Sequence, residues 1–210
     1  MRPGRVLTAV LGMVVAGCGL VPQPSVSGPG TGIHVAIRNQ DEQAVTARFI
    51  GAVQGDVRVD VAAVNGELSG FEIKSPSDTL ARFPNQCKIY SKVVDRAWLV
   101  APMKALAKAE VPDWWGQIGV FDLDDRLALR VVRPSAMNPK IHAMSLASLL
   151  WRDEALEVLR NAGRARGVMT KSRKVIWKRL IECVELDDLR AAVRAALKRR
   201  PEMIELCERR

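Results

Sequence analysis

Apolar and polar positions change their period twice along the chain. A run without charge extends from Val6 to Gly17 and gives way to a Pro/Gly/Ser tract ending near Gly32. From Ile33 to about Pro134, strand and helix periods are mixed. Asn39 to Phe49 is polar and helix-compatible, whereas Val57-Arg58-Val59-Asp60-Val61 alternates at period two and predicts a strand. Asn65-Gly66 is a strong hairpin signal, and beyond it Phe71 and Ile73 alternate with Glu72 and Lys74 in a second strand, Leu68 to Lys74. Ser77 or Asp78 is the expected N-cap of a helix through Leu80, Phe83 and Ile89 to Lys92, with Pro84 in its first turn or at a kink. Arg96 to Val100 reads as a third strand and Met103 to Ala109 as a short helix. Gly116 to Phe121 and Leu127 to Val132 then close the sheet about the Asp122–Asp125 turn. After Pro134 the period is helical throughout: Leu146 to Asn161, Ser172 to Val184, and Leu186 to Arg199, the last stopped by Pro201. Three parts result: a leader and flexible linker over 1–32, an α/β core over 33–134 and a basic helical domain over 135–210.

The hairpin makes a geometric demand. A two-residue turn at Asn65-Gly66 pairs Val64 with Glu67 and sets Asp60 opposite Phe71, on the other face from Glu72. A bulged or odd-length turn over residues 65–67 pairs Val64 with Leu68 instead. Asp60 then faces Glu72, and Val59 and Val61 face Ile73 and Phe71, so that each face carries one kind of side chain. The second register is the expected one.

With 210 residues, 48% of them apolar and 26% charged, the chain suits one ordinary domain plus an appendage and is too polar to be mostly membrane-embedded. Collagen-like, low-complexity and disulfide-scaffold classes are excluded. The net charge of +9 is lopsided: residues 140–210 hold 17 Lys and Arg against 10 Asp and Glu. Arg164, Arg166, Lys171, Arg173, Lys174, Lys178 and Arg179 concentrate in one loop and helix start, a surface suited to several phosphates. Trp151 and Trp177 fall at core-like helical positions and are expected to pack. Four cysteines without a C-x-x-C pair, and His34 and His142 as the only histidines, leave a structural zinc site without its usual spaced ligands. Neither histidine follows a nucleophile motif. Cys87 is expected as a small core residue, so hydrolytic chemistry falls to carboxylates.

At the N-terminus, Arg2 and Arg5 precede an apolar run of about twelve residues, too short to span ~30 Å of hydrocarbon. That is the layout of a secretory leader. Val15-Ala16-Gly17-Cys18 resembles a bacterial lipobox, which implies lipidation at Cys18 and a membrane-anchored lipoprotein. The alternative is a start of translation downstream and a cytoplasmic protein.

Two carboxylates, Asp60 and Glu72, on strands made neighbours by the hairpin supply hard oxygen ligands for Mg²⁺ or Mn²⁺, and Lys74 adds an ammonium beside them. The order strand-Asp, turn, Glu-x-Lys strand, helix resembles the PD-(D/E)xK nuclease superfamily, and Gln86-Cys87-Lys88-Ile89-Tyr90 is similar to the Gln-x-x-x-Tyr helix of its exonuclease-like branch. The run Asp60 to Ser75, with Asp78-Thr79-Leu80, Trp114-Trp115-Gly116 and Leu150 to Leu156, resembles an uncharacterised bacterial sce-type family that has this nuclease core and a C-terminal helical region. The resemblance covers roughly residues 40–200. It implies an α/β fold with a mixed sheet flanked by helices, followed by an all-α C-terminal region. It also implies Asp60, Glu72 and the Ile73 carbonyl as metal ligands, Lys74 beside the attacking water, and Gln86 and Tyr90 in support. Arg48-Phe49-Ile50 stands where many superfamily members carry a further acid.

The function expected is a Mg²⁺-dependent nuclease acting on DNA, with the basic helices gripping the substrate. Two alternatives stand beside it: a non-catalytic nucleic-acid-binding module on the same fold, and an envelope lipoprotein whose basic tail meets anionic lipid.

Overall fold

The computed structural model describes residues 13–16, 19–22, 37–39, 61–123 and 126–200. Three short strands come first: β1 (Met13–Ala16), β2 (Gly19–Pro22) and β3 (Ile37–Asn39). β1 pairs antiparallel with β2 and parallel with β3. Cys18 and His34 lie outside the described residues, as does the helix expected after Asn39, a residue that itself ends β3. Among the described residues, no helix is long and apolar enough to cross a membrane.

The main sheet takes the order β4-β5-β6-β7-β8. Its strands are β4 (Val61–Asn65), β5 (Glu67–Ile73), β6 (Arg96–Pro102), β7 (Gly116–Leu123) and β8 (Arg126–Arg133). β4 and β8 run antiparallel to their neighbours, whereas β5, β6 and β7 are mutually parallel. Val64 sits opposite Leu68 and Asn65 opposite Glu67, so Gly66 alone turns the chain. This is the odd register that hydrophobic alternation demands. Gly66 makes the turn at φ 69°, in the left-handed region where a Cβ is strained.

Parallel β5 and β6 need a crossover, which α1 (Phe83–Tyr90) provides. It starts later than its sequence suggests. Pro84 occupies the first turn, where a missing N–H costs nothing, and Asp78 closes the preceding loop by accepting the Ser75 N–H at 2.7 Å. That hydrogen bond, opposed in part by burial, lowers the Asp78 pKa. α2 (Met103–Leu106) is a single turn between β6 and β7.

The C-terminal segment holds α3 (Ala143–Ala147), α4 (Arg152–Asn161), α5 (Arg173–Cys183) and α6 (Leu186–Arg199). The continuous helix expected over Leu146 to Asn161 is two helices. Trp151 is extended at φ −64° and ψ 162° and starts α4, and Glu154 Oε2 accepts its backbone N–H at 2.6 Å. Leu146, Leu149, Leu150, Leu156 and Leu159 are all buried on either side of the break. The break also corrects the reading of Trp151, which is 51% exposed under the Arg200 guanidinium, 4.4 Å from the ring centroid. Trp177 does pack, half-buried, with its indole N–H donating to the Leu150 carbonyl at 3.2 Å. α6 spans its expected residues and stops at extended Arg200, as a residue before proline must.

One buried cluster runs from Ala62 and Val64 on β4 through Leu68, Tyr90 and Leu99 to Leu156, Ile176, Leu189 and Leu197. The boundary at residue 134 therefore separates kinds of secondary structure, while the apolar core crosses it. The opposite sheet face carries a smaller cluster of Ala63, Phe71, Trp98, Val100 and Ile118, with Phe71 and Trp98 stacked 6.2 Å apart.

Candidate active site around Glu72

Alternation along β5 puts Leu68, Gly70 and Glu72 on the face covered by α1. Gly70 is small for a reason: a Cβ there would stand 3.0 Å from the Tyr90 ring and 3.0 Å from Val94. The phenol therefore lies across the strand at Gly70 and reaches the end of β5. There Tyr90 donates to Glu72 Oε2 at 2.8 Å, with the Phe71 carbonyl at 3.2 Å. Gln86, one helical turn before Tyr90, shares its face of α1. Its amide nitrogen donates to Glu72 Oε1 at 2.5 Å, and its amide oxygen accepts from Lys74 Nζ at 2.9 Å. Lys74 extends the ladder through its backbone N–H, which donates to the Val100 carbonyl at 2.8 Å, and its ammonium meets Glu72 Oε1 at 2.5 Å.

The structure thus brings together Glu72, Lys74, Gln86 and Tyr90, four residues that the sequence singles out. Glu72 is 0% exposed and Lys74 7%. A carboxylate so buried needs a counter-charge and filled lone pairs. Lys74 supplies the first, and Gln86 and Tyr90 help to supply the second. Only one orientation of the Gln86 amide suits both neighbours, since it must donate to a carboxylate and accept from an ammonium.

Cys87 adjoins this cluster and is buried. Burial, and then the negative charge of Glu72, push its thiol up to about 12 against the partial opposition of Lys74. It is an inert core thiol, as expected. His142 caps α3 through Nδ1, which lies 2.8 Å from Ser145 Oγ and accepts the Ser145 N–H at 3.3 Å.

Asp60 immediately precedes β4 in the chain and lies outside the described residues. Ile73 ends β5, paired with Val100. Among the described residues, no three His, Cys, Asp or Glu side chains are grouped to hold a metal ion. The donors present, a carboxylate and a strand-end carbonyl, are hard oxygens that suit Mg²⁺ or Mn²⁺ in kind.

The basic residues gather around the loop between α4 and α5, which Gly163 and Gly167 turn at φ 68° and 82°. Arg164, Arg166, Lys171, Arg173, Lys174 and Lys178 are exposed, and Arg179 is half-buried. Among the described residues, only Lys178 of the seven meets a carboxylate, Glu182 at 3.9 Å. Arg173 stands over the Trp177 ring at 5.7 Å.

Sequence reasoning misses Asp95. Its carboxylate is buried at the mouth of β6, where Oδ2 accepts the Leu68 N–H at 2.6 Å. Arg190 of α6 meets Oδ1 at 2.6 Å, and Arg194 approaches Oδ2 at 3.4 Å. The available signal was an acid inside the apolar run Val93 to Val100, but its partners lie almost a hundred positions away.

The fold and cluster define an α/β protein with a mixed five-stranded sheet, a buried Glu-Lys-Gln-Tyr centre and a helical C-terminal layer. The chain belongs to the family described as Bacteriophage P4 protein cII, whose model matches residues 37–207. No curated protein matches it. Among solved structures it is similar to the SPO1766 protein of unknown function from Silicibacter pomeroyi, at 22% identity over 60% of this chain and 81% of that one, with a TM-score of 0.33.

Proposed function

We propose that this protein is a metal-dependent nuclease of the PD-(D/E)xK type that hydrolyses DNA phosphodiester bonds. The observation that carries the reading is the convergence of Lys74, Gln86 and Tyr90 on the buried Glu72 carboxylate. Glu72, the Ile73 carbonyl and Asp60 are the ligands assigned to Mg²⁺ or Mn²⁺, which when bound would polarise a phosphate oxygen and acidify a water. Lys74 orients that water and offsets developing negative charge. Gln86 fixes the Lys74 ammonium, and Tyr90 fixes the carboxylate plane. The exposed cations between Arg164 and Arg179 hold the DNA backbone.

The test is purified protein with linear, circular and single-stranded DNA in Mg²⁺, Mn²⁺ or EDTA. Cleavage should require the metal. Asp60→Ala and Glu72→Gln should abolish it, and Lys74→Ala should slow it by about 100-fold or more, with most DNA binding retained. Full activity in any of the three overturns the assignment.

A second reading, a non-catalytic DNA-binding module, is favoured by one observation. Glu72 Oε1 accepts from both Lys74 and Gln86, and Oε2 from Tyr90, so a cation must share the carboxylate with these donors or displace one. A chelator-insensitive gel shift without cleavage would select this reading.

A further inference from the structure

A groove of about 830 Å³ lies beside α1, outside the Glu72 cluster. Its size falls within the ~300–1,000 Å³ of small-ligand sites. Asn85, Lys88 and Lys92 line one side from α1 and the turn after it, Pro112 and Trp114 a second, and Asn138 to His142 a third. Among the described residues, no Asp or Glu lines it. Lys88, Lys92 and Lys140 make no ion pair among the described residues, so three ammonium groups border an apolar floor of Ile89 and Ile141.

The walls are tied in place. Asn138 Nδ2 donates to the carbonyls of Ser91 at 2.9 Å and Val94 at 2.8 Å, and the His142 N–H donates to the Lys92 carbonyl at 2.9 Å. Trp114 is held by its carbonyl, which accepts the Ala136 N–H at 2.8 Å, and by edge contact with Trp115 at 5.9 Å.

We propose that this groove is a nucleoside-phosphate site, with a base against Trp114 and Ile141 and phosphate met by Lys88, Lys92 and Lys140. Cations bordering an apolar, aromatic-walled hollow match a ligand that is anionic at one end and planar at the other. The occupant is a free nucleotide or the terminal units of a DNA single strand. The site stands independently of cleavage, because none of Glu72, Lys74, Gln86 and Tyr90 lines it.

The test is fluorescence anisotropy of full-length protein with a labelled, 5′-phosphorylated tetrathymidylate in EDTA, competed by dTMP, thymidine, inorganic phosphate or an acidic peptide. The double variant Lys92→Gln/Lys140→Gln should weaken binding about tenfold and lower the salt slope by about one or two. Trp114→Leu should weaken it about fivefold or more, and Trp114→Phe, which keeps a ring, should restore most of the loss. Equal affinity for dTMP and the tetranucleotide marks a free-nucleotide site, and a marked preference for the tetranucleotide marks a strand-end site. Wild-type affinity in a folded lysine double variant overturns the proposal. So does competition by phosphate or peptide as good as by dTMP, or a loss that follows Lys171→Gln/Lys174→Gln instead.

Discussion

At the scale of single residues, the Glu72 cluster is a set of mutual obligations. Tyr90→Phe removes a buried donor from Glu72 Oε2 and leaves a charged acceptor poorly satisfied. It should destabilise the protein by about 1–3 kcal/mol in urea unfolding, with little change in packing. Cys87 makes a pH-dependent prediction. Its thiol titrates near 9.0 when unfolded and at about 12 when folded, so the unfolded chain releases this proton first as pH rises. The stability linked to Cys87 is present below about pH 9 and is lost progressively from there towards pH 12. Cys87→Ala should flatten that part of the stability profile, measured by denaturant midpoints at increasing pH.

Between elements, contacts leave little room at the strand crossings. Gly116 of β7 pairs with Trp98 of β6, and a Cβ on it would stand 2.2 Å from the indole ring. Gly116→Ala should therefore displace Trp98 from its stack on Phe71 and cost about 1–3 kcal/mol or more, read by thermal unfolding. α1 serves two surfaces from one short helix. Gln86 and Tyr90 face β5, whereas Asn85 and Lys88 face the groove. Pro84 sets where that helix begins, and so which residues share each face.

Across the whole molecule, the helical layer is part of the sheet's core. Leu189, Val193, Ala196 and Leu197 of α6 belong to the same buried cluster as Leu68 and Leu99, and Arg190 joins α6 to buried Asp95. Removing residues 140–210 would uncover that face and leave Asp95 without its guanidinium partners. The shortened chain 1–139 should fail to fold cooperatively, as seen by circular dichroism and proteolysis. A cooperative melt from it would show that the helices are separable. The basic surface is accordingly best probed by substitution, with Arg166→Gln, Lys171→Gln and Lys174→Gln lowering DNA affinity and its salt slope.

The sequence by itself determined what depends on neighbours along the chain. Alternation in β5 placed Glu72 and Lys74 on one face, the four-residue spacing placed Gln86 and Tyr90 on another, and hydrophobic consistency across Gly66 set the register that pairs Val64 with Leu68. Local geometry decides these, because strand and helix periods are fixed by backbone stereochemistry. What only the tertiary structure decided depends on contacts between distant segments. The break at Trp151 places its ring and Glu154 against Arg200, some fifty positions along the chain. Asp95 finds Arg190 and Arg194 across some hundred residues, and the groove beside α1 exists only because Trp114 and the segment Asn138 to His142 are folded against it. No periodicity carries such pairings, since they arise where separate elements are driven together by the apolar surface they share.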